Sequence, residues 1–134
     1  MIENEIREYL ENQGLGTSNV DLFDTFKPNS PDNLIVIEDI SAIPLDESSC
    51  LSVDNIGMMV TVRNTNKDNA KNLIWNIHKK LIGFNGYLIS GGHDVTYITQ
   101  ETPPHAIGRD SENRMEYEVT YNCRVQSPAN NNRL

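Results

Sequence analysis

With 134 residues, 37% of them hydrophobic, the chain is long enough for one packed core and too short for two. Nineteen acidic residues against 11 basic ones leave a formal net charge of −8, which argues against a partner held through phosphates and against a membrane-surface role. No apolar run approaches the length that spans a bilayer, and the opening MIENEIREYLENQG is too charged for a secretory signal, so cytoplasmic synthesis is expected.

Ile2, Ile6, Tyr9 and Leu10 fall at near-helical spacing, and Gly14 and Gly16 follow, which predicts an N-terminal helix of about three turns. The next stretch, GTSNVDLFDTFKPNSPDN, places Val20, Leu22, Phe23 and Phe26 among turn residues and reads as a loop pinned to the core. Leu34 to Ile37 is a short continuous apolar run, the pattern of a strand buried on both faces. Residues 38–55 are polar and acidic, with Asp46 and Glu47 at their centre, and read as a long flexible loop.

Ile56 to Ile82 joins two hydrophobic periods. Ile56, Met58, Met59, Val60 and Val62 form a strand interrupted by Thr61 and Arg63. From Ala70 the period becomes helical: Ala70, Leu73, Ile74, Ile77 and Leu81 share one stripe. Asn64, Thr65 and Asn66 are candidate caps, Asp68 suits the positive helix end, and Lys79, Lys80 and Gly83 mark the finish. Residues 87–89 and 95–98 then predict a hairpin around Ser90-Gly91-Gly92-His93-Asp94, with Val95, Tyr97 and Thr99 facing one way and Ile98 the other. The segment 101–114, with Pro103, Pro104 and Gly108, reads as a loop. Met115, Tyr117, Val119, Tyr121, Cys123 and Val125 alternate with Glu116, Glu118, Thr120, Asn122 and Arg124 as a half-buried strand.

Residues 1–126 are therefore expected to form a single α+β domain: a two-layer, mainly antiparallel sheet of about five strands with two helices packed on one face. Residues 127–134, SPANNNRL, lack apolar content and are expected to be a disordered tail.

Reaction chemistry leaves few traces. Neither GxxxxGK[ST] nor GxGxxG occurs. His78, His93 and His105 fall on a helix, in a turn and in a loop without HExxH or HxH spacing, and Cys50 and Cys123 lack ligand spacing and read as reduced structural thiols. No catalytic, metal or cofactor site is expected. His93, Asp94 and His105 support one alternative, a small hydrolase or ligand-binding domain. Trp75 lies one step off the helical stripe and is either a core flank or an interface anchor. Arg109, Asp110 and Arg114 bracket a turn and, like Arg63, admit a local reading as turn acceptor and solvated cations or a role in pairing with a neighbouring subunit.

The order of these pieces is informative. A short helix, GLGTSNVDLFDTFKPNSPDNLIVIED, a polar loop, IGMMVTVRNTNKDNAKNLIWNIHKKLIGF and PPHAIGRDSENRMEYEVTYNCRV together resemble the minor capsid or tail-completion proteins of long-tailed bacteriophages, also called tail terminators or tail-to-head joining proteins. The match runs from about Glu3 to Val125 and includes Gly108, Arg109, Asp110, Arg114 and Tyr117. The resemblance implies a non-enzymatic structural protein of the virion, made in the host bacterial cytoplasm and located at the head-tail interface. It further implies a homo-hexameric ring on the head-proximal end of the tail tube, with the major tail tube protein and the head connector as partners. An acidic ring would let DNA pass through without specific binding. The 38–55 and 101–114 segments are the expected mating surfaces, with Arg63, Arg109, Asp110, Arg114, Trp75, Asp46 and Glu47 as interface residues. A head-completion adaptor on the connector side is the alternative within the same setting.

Overall fold

Chain order in the computed structural model, which describes residues 2–24, 26–40, 53–82, 86–88 and 93–126, is α1 (Ile2–Asn12), β1 (Leu22–Asp24), β2 (Leu34–Ile40), β3 (Val53–Asn64), α2 (Lys67–Leu81), β4 (Gly86–Leu88), β5 (His93–Arg109) and β6 (Met115–Gln126). The strands form one sheet in the order β1-β2-β3-β6-β5-β4, parallel between β1 and β2 and antiparallel at the other joints. Both helices contribute to one apolar cluster with the sheet, which gives the expected α+β architecture. The sheet has six strands because Leu22–Asp24, within the segment read as a pinned loop, pairs with Ile35–Ile37.

α1 buries Ile6 and Leu10 completely. It ends in a Schellman arrangement: the Leu15 N–H donates to the Leu10 carbonyl at 3.1 Å and the Gly14 N–H to that of Glu11 at 3.0 Å. Gly14 supplies the φ of +79° that this stop requires. α2 starts a turn before Ala70, where the Asn66 side chain accepts from the Asn69 N–H at 3.0 Å. Asp68 sits in the first turn as the helix dipole favours. The helix closes at Ile82, whose N–H reaches the His78 carbonyl; Gly83 lies outside the described residues.

The core face follows the sequence pattern in β3 and β6. Met58, Val60 and Val62 stand opposite Tyr121, Val119 and Tyr117, and Ala70, Ile74, Ile77 and Leu81 share their core cluster. Burial of each large aliphatic side chain is worth roughly 1.5–3 kcal/mol. All of Leu34 to Ile37 is buried, as the continuous run predicted, and β2 lies beside β3.

β5 departs from the expectation twice. Its pairing with β6 shifts between Val95 and Tyr97, two residues of β5 standing against one step of β6, so Val95 and Ile98 both enter the core while Tyr97 is exposed. Strict alternation failed because a bulge reverses the parity of every residue beyond it. The strand then continues through Pro103 and Pro104 to Arg109, across most of the segment read as a loop. Described β4 covers β5 only at His93 to Val95, and the pairing with β6 shifts between Thr102 and His105, so Pro103 and Pro104 fall at a ladder irregularity beside an edge that described β4 leaves uncovered. The described residues of the 38–55 segment, read as a loop, are strand. Its ends belong to β2 and β3, and residues 41–52, with Asp46 and Glu47, lie outside the described residues, as do residues 127–134.

Candidate functional site

On the sheet face away from the helices, the 26–33 connection crosses the end of β3 and the start of β6. β-pairing sets Arg63 between Leu34 and Glu116, and this register points the Arg63 side chain at the crossing chain. Its Nε donates to the Asp32 carbonyl at 3.1 Å and Nη2 to those of Asn29, at 3.1 Å, and Pro31. Arg114 completes the clamp from the hairpin turn: Nη1 donates to the Asn29 carbonyl at 2.6 Å and Nη2 to its side-chain Oδ1 at 3.1 Å. It also pairs with Asp110 at 2.8 Å, Glu112 at 2.8 Å and Asp32 at 3.3 Å. Lys27 pairs with Glu116 at 2.9 Å on the same face.

Asp110 holds the turn. Its Oδ1 accepts from the backbone N–H groups of Glu112 at 3.0 Å and Arg114 at 2.8 Å, the local arrangement expected of an aspartate there. The Arg114 backbone N–H is the main influence holding the Asp110 carboxyl below its ordinary range. Burial depresses the Arg63 pKa most, and the nearby Arg114 charge adds to it. Burial also works against the Arg114 charge, but the hydrogen bond and field of Asp110 outweigh it and raise that pKa.

The arginines thus divide. Arg63 and Arg114, 2% and 4% exposed, spend their donors on carbonyls and carboxylates of their own chain. Arg109 is exposed and makes one bond, to the Asn113 carbonyl at 2.9 Å. Neither Asn29 nor Asp32 stood out in the sequence, because backbone carbonyl acceptors have no residue signature. Two arginines at strand ends of an acidic chain were the available signal.

Trp75 takes the first of its alternatives and flanks the core. One ring edge packs against His78, with centroids 5.5 Å apart and planes at 90°, while the residue remains 40% exposed. The histidines do not converge. His78 is in the core, and His93 and His105 are twelve positions apart on β5, roughly 35–40 Å at strand rise. His105 instead pairs locally, Nε2 to Glu118 at 3.3 Å. Among the described residues no three His, Cys, Asp or Glu side chains gather as a metal site. A cleft of about 120 Å³ between Leu15, Asn33, Asn64 and Leu73 carries a single carboxylate, Asp21, already bonded to the Thr17 N–H at 2.7 Å.

This arrangement defines a small two-layer α+β domain whose described polar clusters hold loops in place. The sequence matches the bacteriophage tail terminator protein family over residues 9–127, and the chain belongs to that family. It is accordingly a structural protein of the phage tail, carried in the virion. Among solved structures, a chain from the virion of the native gene transfer agent (GTA) particle is similar in fold, with TM-score 0.59 and 13% identity over 79% of this chain and 78% of that one. No curated protein matches the sequence.

Proposed function

We propose that the protein closes the head-proximal end of the tail tube as a homo-hexameric ring, ends tube growth and joins the tail to the head connector. The family match across residues 9–127 is the observation that carries this reading. The net charge of −8 per chain supports it, since an acidic ring does not retain the DNA that must pass. Interface roles fall to the exposed residues Trp75 and Arg109 and to Asp46 and Glu47. Arg63, Asp110 and Arg114 act one step behind, holding the 26–33 connection and the 110–114 turn in the shape that a neighbouring subunit or tail tube protein meets.

Electron microscopy of lysates from a phage with an early stop codon in this gene tests the reading. Filled heads beside free tails of uncontrolled length are the expected result. Free tails of normal length would reassign the protein to the connector side as a head-completion adaptor, and normal particles would refute the proposal.

A further inference from the structure

The outer face of α2 contrasts with the rest of the chain. Four of the 11 basic residues, Lys67, Lys71, Lys79 and Lys80, lie on this one helix, with Asp68 its only acid, so Lys67–Leu81 carries +3 and the remainder −11. All four lysines are exposed, and none pairs with a carboxylate among the described residues. Lys71, Trp75 and Lys79 stand at i, i+4 and i+8, a line about 12 Å long, and the C-cap residue Ile82 follows three positions beyond Lys79. Trp75 and Ile82 are among the exposed large apolar residues, at 40% and 39%. A tryptophan anchor flanked by unpaired lysines is the composition of a protein-docking face that meets an acidic rim.

Three observations choose the occupant. The charge balance favours a second copy of this chain, since everything outside α2 sums to −11. Pairing of the stripe with its own copy across a two-fold axis is disfavoured, because Lys71 and Lys79 would face the same two lysines. A different patch on the next copy is the better match, and such heterologous contacts give rings where the rotation between copies closes. Duplex DNA is the weaker match: Ile82 has no phosphate to meet, and the chain as a whole repels polyanions.

We infer that the Lys71–Trp75–Lys79–Ile82 stripe is one half of the subunit contact, docking on the acidic surface of a second copy of this chain. The inference rests on the ring reading above and assigns it a surface. The test is native mass spectrometry of the full chain at rising concentration and at two ionic strengths, for wild type, Trp75→Ala and the double variant Lys71→Glu/Lys79→Glu. Wild type should form salt-sensitive oligomers, and each variant should weaken association about tenfold or more, with the circular dichroism of the double variant unchanged because its altered groups are exposed. The double variant keeps its acidic patch, so doping it into wild type should yield short oligomers capped at one end. Wild type that stays monomeric throughout, or variants that associate like wild type, would overturn the inference. So would duplex DNA retained by wild type and lost by the double variant with association unchanged, which would make the stripe a phosphate contact. The stop-codon phage judges the ring reading separately, because free tails of uncontrolled length there would uphold it whatever the fate of the stripe.

Discussion

The Nδ1 atom of His78 lies 2.8 Å from the Tyr121 hydroxyl inside the core, and the two rings stack with centroids 5.7 Å apart. Burial lowers the His78 pKa below its ordinary 6.5. A folded value below the unfolded one means that the unfolded chain takes up the proton first as pH falls. The stability from neutral His78 is therefore complete above about pH 6.5 and is lost progressively below it, down to the folded pKa. Thermal melts between pH 7 and 5 should show a steeper loss for wild type than for His78→Gln. Tyr121→Phe should cost about 1–3 kcal/mol at pH 7 by leaving the buried ring nitrogen without its partner.

Cys123 is fully buried on β6, and burial, helped by the field of Asp39, pushes its thiol pKa up to about 12. Almost no thiolate is then available at neutral pH. In a Cys50→Ser background, native protein at pH 8 should react with a disulfide reagent only as fast as it opens. Addition of denaturant should release one full equivalent at once. Rapid labelling of the native chain would show that β6 is not closed over by α2.

Much of the fold was legible because it rests on periodicity. The alternation of Met115 to Cys123 and the stripe from Ala70 to Leu81 both predicted the buried faces, since a residue's side of a regular element depends only on its position in the repeat. β5 was less legible for the same reason: a bulge near Thr96 resets the count, and Pro103-Pro104 imitates a loop although the register shift between Thr102 and His105 accommodates it. β1 was hidden by its length of three residues, too short to show a period. The polar corner was half legible. Arg63 and Arg114 stood out, but their acceptors, the carbonyls of Asn29, Pro31 and Asp32, are supplied by chain path and not by side-chain type.

Gly108 has a φ of +128°, beside one of the register shifts between β5 and β6. A Cβ placed there meets nothing within 4 Å, so substitution acts through the backbone alone. Gly108→Ala should cost about 1–3 kcal/mol. Hydrogen exchange should locate the loss in the hairpin formed by residues 105–118, with α2 protected as before.

Arg114 and Arg109 lie on either side of one turn and should respond very differently. Arg114 is buried and serves Asp110, Asp32, Glu112 and both oxygens of Asn29. Arg114→Ala removes the cation and leaves these acceptors without their donor, which should lower the denaturant-unfolding midpoint clearly. Arg114→Lys keeps the charge but not the planar fork that reaches Asn29 and Asp110 together, and should recover less than half of that loss. Arg109→Ala removes one exposed bond to Asn113 and should change stability by less than about 0.5 kcal/mol. Neighbouring Arg63 shares the Asn29 carbonyl, so the effects of Arg114→Ala and Arg63→Ala should not add. Equal stability of the Arg109 and Arg114 variants would show that the corner does not hold the 26–33 connection. A phage carrying Arg109→Ala, stable yet unable to join heads to tails, would place Arg109 on the mating surface itself.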